Sequence, residues 1–176
     1  MIVRQHDCFP DGGSFVSQAS NRLHETGGIP GANPAEWSSL NGQLWEQACA
    51  SVADLRGHGI FCVANPGMVF DSDLLWSFLT YAYGNLQFGS QALVEWLETV
   101  PDIHQRLGGR LLSSADVRQF RRNNRKMLTL SLEAYFKKAS GSVIHRFRRT
   151  CGLSECDLAE AAVLEAIRFD VGEVDY

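Results

Sequence analysis

The chain has 176 residues, 45% of them hydrophobic, with four Trp, ten Phe and a formal charge of -4. That content can fill the core of one domain of ordinary size, and it excludes an intrinsically disordered chain. No apolar run is long enough to span a bilayer, and the start MIVRQHDCFPDGG lacks a secretory signal's basic and apolar regions, so a cytoplasmic location is expected.

Residues 1–32, rich in Gly, Ser and Asn, read as an irregular arm, and 33–176 as a helical domain. Asn33 is an N-cap candidate, with Pro34 at the first helical position and Glu36 three past the cap. Trp37, Leu40, Leu44, Ala48, Val52 and Leu55 follow at helical spacing, and Gly57 is the expected stop. HGIFCVANPGMV reads as a short extended piece ended by Asn65-Pro66-Gly67. In FDSDLLWSFLTYAYGN, Asp71 or Ser72 caps a helix that is apolar nearly all round, as a central core helix would be, and Gly84-Asn85 stops it.

A short helix capped by Ser90 comes next, then a turn PDIHQRL begun by Pro101 and closed by Gly108-Gly109. The longest helix is expected from Ser113 or Ser114 to Gly141, with Asp116 placed for a capping box. Ser154 and Asp157 open a last helix through about Arg168, with Ala159, Val163, Ala166 and Ile167 as its buried stripe. The expected fold is mostly α: a compact multi-helix domain with a helix-turn-helix-like segment, from about residue 90 to the helix starting near Ser114, behind the irregular arm.

Charge is divided by region. Residues 1–100 carry a formal -7, residues 101–151 a formal +9, and residues 152–176 a formal -6. The basic block centres on VRQFRRNNRK, 117–126, where five of ten residues are Arg or Lys. On a wheel of about 100° per residue, Val117, Phe120, Asn124, Leu128, Ser131 and Tyr135 form the core stripe. Arg118, Arg122 and Arg125 form a displayed ridge, Lys126 lies opposite the core, and Arg121 borders the core with its stem along apolar surface. Residues 117–132 contain no acid to relieve like-charge repulsion, so the ridge calls for an anionic partner. Either the acidic tail folds back on it, or it faces a polyanion such as duplex DNA. Asn123 is a further candidate for base contact, and Arg146, Arg148 and Arg149 form a second cluster suited to phosphates or to compensating the acidic last helix.

Nothing in the sequence calls for a catalytic centre, a cofactor, a metal or a small-molecule substrate. Neither GGIPGAN nor GNLQFGS matches a phosphate-binding glycine pattern, and no HExxH or GxSxG occurs. The five cysteines are scattered without a CxxC pair, and His145, Cys151 and Cys156 lack an evident fourth zinc ligand.

Residues 71–127 resemble the N-terminal domain of cut-and-paste transposases of the insertion-sequence 4/5 type. The resemblance rests on DSDLLWSFLTYAYGN, GSQALVEWLETVPDIHQRLGG and SSADVRQFRRNNRKM. Phe120, Arg121 and Arg122 stand at the family's Phe-Arg-Arg position, Leu107 and Gly108 at its Leu-Gly turn, and Ser114 near its helix cap. The resemblance implies an all-helical domain that helps recognise transposon-end DNA. Catalysis in that family belongs to a separate RNase H-like domain with an Asp-Asp-Glu triad. The roughly fifty residues after Met127 lack that domain's strand-rich pattern, so a transposase fragment or a stand-alone descendant without strand-transfer activity is expected. The alternative is a protein-interaction or assembly module whose basic helix meets an acidic surface, and homodimerisation is compatible with both.

Overall fold

The computed structural model describes residues 34–67, 70–85, 87–99, 105, 112–138 and 154–173. The irregular arm, most of the PDIHQRL turn and the Arg146, Arg148 and Arg149 cluster lie outside them. Six helices form one mostly α-helical domain, with no strand among the described residues: α1 Pro34–Gly57, α2 Ser72–Gly84, α3 Ser90–Thr99, α4 Ser114–Asn123, α5 Arg125–Lys138 and α6 Glu155–Glu173.

The centre is α2, which packs on α1, α5 and α6. Its residues from Leu75 to Gly84 are all buried, as an apolar circumference requires. Asp71, not Ser72, is its N-cap, accepting from the amides of Asp73 at 2.8 Å and Leu74 at 3.3 Å. Burying side chains such as Trp76, Phe78 and Leu79 contributes roughly 1.5–3 kcal/mol each. Trp76 and Thr80 bring polar groups into this interior, and both meet α5. Trp76 Nε1 donates to Ser131 Oγ at 2.9 Å and to Met127 O at 3.2 Å, and Thr80 Oγ1 lies 2.7 Å from Ser131 Oγ. This fixes α2 against α5. Close approach nearby depends on Gly84, since a Cβ there would collide with Cε1 of the Tyr135 ring.

The helix α1 starts at Pro34 as expected, the Asn33 cap lies outside the described residues, and its expected end at Gly57 holds with a refinement. The helix stops at Gly57, but the left-handed residue is Gly59, with φ 77°. Gly59 N–H donates to Arg56 O and Ile60 N–H to Leu55 O, the paired bonds of a Schellman end. The next residues, 60–65, carry no secondary structure and no strand ladder, and Gly67, with φ 76°, turns the chain toward α2.

Three expectations on helices are corrected. The long helix is divided at Asn124, whose φ of -122° and ψ of 25° lie outside helical values. Asn124 N–H still bonds Phe120 O and Leu128 N–H still bonds Asn124 O, both at 2.9 Å, so the register survives the bend. Val117, Phe120, Asn124, Leu128, Ser131 and Tyr135 all stay buried as one stripe. The expected Ser113 capping box is present, with Asp116 N–H on Ser113 Oγ and Asp116 Oδ2 accepting from Ser113 N–H, both at 3.1 Å. Ser90 is the first residue of α3 rather than a cap acting on its own helix. Finally, α6 runs to Glu173, more than a turn beyond the expected stop at Arg168.

Candidate nucleic-acid interface

Within 117–126 the cations divide into one interior group and four surface groups. Arg121 is 2% exposed. Its Nη1 donates to Tyr83 Oη at 2.9 Å and to Phe88 O at 3.3 Å, while Nη2 donates to Ser90 Oγ at 3.3 Å and forms an ion pair with Asp170. Asp170, 7% exposed, also accepts from the N–H and hydroxyl of Ser90 at 3.0 and 2.5 Å. One carboxylate thus caps the N-terminus of α3, where a negative charge is favoured, and neutralises the guanidinium from α4. Phe88 closes the surroundings, lying 6.0 Å from the Tyr83 ring and 6.1 Å from the Phe169 ring between centroids. Burial pushes the Tyr83 hydroxyl above its ordinary pKa, and the Arg121 charge beside it acts in the opposite direction.

This corrects the surface role expected of Arg121. A side chain on the edge of the core stripe enters the interior when a second carboxylate-bearing element meets it there. That element is the extra turn of α6, and Asp170 is a residue the sequence reading missed. Its signal was present in the Ile167-Arg168-Phe169-Asp170 run, which continues the apolar pattern past the expected stop. Tyr83, Phe88 and Ser90 were missed as its partners because no spacing rule links three separate elements.

The remaining cations stay outside. Arg118 is half-buried, and Arg122, Arg125 and Lys126 are exposed. Among the described residues no carboxylate lies within ion-pair reach of these four. Every other described Arg or Lys has one: Arg56 with Asp73, Arg121 with Asp170, Lys137 with Glu133, Lys138 with Asp54 and Arg168 with Glu165.

Three acids of the last helix have partners away from these four cations. Asp157 caps α6 through Ser154, with Ser154 Oγ 2.6 Å from Asp157 Oδ2. Glu165 lies 3.8 Å from Arg168, and Asp170 serves Arg121.

The two asparagines join the ridge to segment 60–65. Buried Asn124 accepts from Val63 N–H at 2.6 Å and donates to Val63 O at 2.8 Å, so its amide pairs with Val63 as a neighbouring strand would. Its Nδ2 also donates to Phe120 O at 3.0 Å. Exposed Asn123, expected as a base-contacting residue, donates its amide to Asn65 Oδ1 at 3.1 Å, and Asn65 donates in turn to Asp116 O at 3.2 Å.

Cys62 and Cys156 are free thiols, and burial raises the Cys62 pKa. Among the described residues no three His, Cys, Asp or Glu gather where a metal could be held, and no helix is long and apolar enough to cross a membrane. No protein-family model matches the chain, and neither a curated protein nor a solved structure does so.

Proposed function

We propose that this chain is a non-catalytic DNA-binding domain, related to the part of insertion-sequence 4/5-type transposases that recognises transposon ends. The observation that carries the reading is the contiguous set Arg118, Arg122, Arg125 and Lys126, the only described cations with no carboxylate partner among the described residues. A solvated face normally mixes signs, and like charges three and four residues apart repel on a helix. A row of phosphates would relieve that repulsion and release counterions on binding. The resemblance adds a direction. Of its Phe-Arg-Arg position, Phe120 and Arg121 build the interior and Arg122 joins the ridge.

The test is duplex-DNA binding measured across a salt series, for the wild type and for R118Q/R122Q/R125Q. Every arginine that grips a phosphate should, once neutralised, reduce the slope of log K against log salt by about 0.9. Affinity and slope unchanged in the triple variant would sink the assignment. An acidic polypeptide that displaces DNA no better than salt of equal ionic strength would count against the alternative docking of an acidic protein surface.

A further inference from the structure

Segment 60–65 places large apolar side chains in water, and the two asparagines that hold it, Asn123 and Asn124, stand in the chain between the unpaired Arg122 and Arg125. Phe61 is 55% exposed and Val63 58%, whereas Ile60 and Cys62, which alternate with them, are half-buried, so residues 60–63 alternate in and out as a strand does. Its backbone is pinned. Both polar groups of Val63 are held by Asn124, Asn65 is held by Asn123 and Asp116, and Cys62 Sγ approaches Ser72 O at 3.5 Å. A side-chain rotation therefore cannot bring the Phe61 ring into the core. The ring is backed instead by Arg56, whose guanidinium carbon lies 5.6 Å from its centroid and which Asp73 anchors at 2.6 Å. Phe61 stands about 7 Å along the strip from Val63, whose clasp, Asn124, is the chain neighbour of Arg125.

A flat apolar surface backed by one cation, on a strip tied to the helices that carry the unpaired ones, suits a nucleobase within a polyanion, since any base can stack on an aromatic face while its phosphates meet the charges. Asp73 and Asp116, which meet the strip at Cys62 and Asn65, are already engaged with Arg56 and Ser113. We propose that Phe61, assisted by Val63, is a platform for an unstacked base of the bound DNA, with Arg122, Arg125 and Lys126 holding the adjoining phosphates. This rests on the DNA-binding reading and narrows it: the ligand is DNA with an unpaired base at or beside a duplex.

Three fluorescent probes test it: a blunt duplex, the same duplex with a short single-stranded extension, and that extension built from abasic sites. The wild type should prefer the extended probe, and the abasic extension should lose that preference. F61A should lower affinity for the extended probe by about 5- to 150-fold and leave the blunt duplex unchanged, and F61W should retain the preference. An unchanged thermal melt would show that F61A folds, as the exposure of the ring leads one to expect.

The platform is overturned if F61A keeps the preference, if it weakens both duplexes alike, or if the abasic extension binds equally well. If the wild type binds the blunt duplex but shows no preference, only the platform fails. If it binds no probe, the DNA reading fails with it. F61A-sensitive binding of an acidic, aromatic-containing peptide without DNA binding would assign the strip to a protein partner and overturn the proposal.

Discussion

Arg121 and Arg122 are adjacent residues of one type in opposite environments. Arg121 sits among α2, α3 and α6 with its charge matched by Asp170, and Arg122 stands in solvent beside other unmatched cations. The difference shows that the basic stretch is two devices within one run of α4 and α5. The inner one organises the domain, because a buried guanidinium must be paired and hydrogen-bonded, and its partners here come from three helices and the connection before α3. The outer one contributes nothing to packing that the described contacts reveal, and its like charges oppose the helix. Composition alone, five cations in ten residues, merges them.

The largest effect should come from breaking the inner device. R121M leaves the Asp170 carboxylate buried without its counter-charge, and such a change costs about 3–5 kcal/mol. Urea unfolding should show the destabilisation. D170N should be harmful as well, because it strands the guanidinium and weakens the cap on α3. The double variant R121M/D170N should be less unstable than the two single effects summed, with a coupling of about 0.5–3 kcal/mol. Additive effects would mean that the two groups do not act as a pair, and the contrast with Arg122 would lose its basis.

A smaller effect is expected at Asn124, which belongs to both regions: its backbone bends the helix and its side chain holds the surface strip. N124A removes the partner of the Val63 N–H and C=O, at a cost of about 1–3 kcal/mol, toward the lower end because water can reach the strip. Hydrogen exchange should locate the damage. Faster exchange at the Val63 amide with unchanged protection in α2 would confine it to the seam, whereas a global increase would tie the seam to the interior.

Much of the fold could be read from local patterns. The Asp71 and Ser113 caps, the all-round apolar α2 and the six-residue buried stripe through α4 and α5 depend on neighbours within a few positions. What could not be read depended on partners far along the chain. Asn124 breaks a helical pattern because an extended segment sixty residues earlier offers an N–H and a C=O to its amide. Arg121 turns inward because Asp170, nearly fifty residues later, reaches the same place. The wheel put Arg121 at the core edge and Arg122 on the flank, and only tertiary pairing decides which side a borderline cation takes. Of the candidate interface, Arg118, Arg122 and Arg125 were legible as a ridge and Lys126 as lying opposite the core, but the exposed Phe61–Val63 strip was not, since an extended run of apolar residues ordinarily signals burial.

The smallest effect on stability should come from the ridge itself, and its sign is informative. Single changes R122Q, R125Q and K126Q should shift stability by no more than about 0.5 kcal/mol. At low salt the shift should be stabilising, because each removes repulsion at three- or four-residue spacing. K137Q and K138Q are the comparison. Lys137 bonds Glu133 at 2.6 Å, an interaction that raises its pKa, and Lys138 pairs with Asp54, whose pKa that pairing lowers. Neutralising either lysine removes an attraction, so the low-salt melting temperature should fall slightly or stay level, never rise. The same variants separate the ridge from the remaining positive charge in binding. Neutralising Arg122 or Arg125 should lower both DNA affinity and its salt slope, while K137Q and K138Q should change neither appreciably, since their charges are already balanced within the chain. Equal reductions from both sets would mean that DNA senses only the net charge of the region, and that the four unmatched cations form no distinct site.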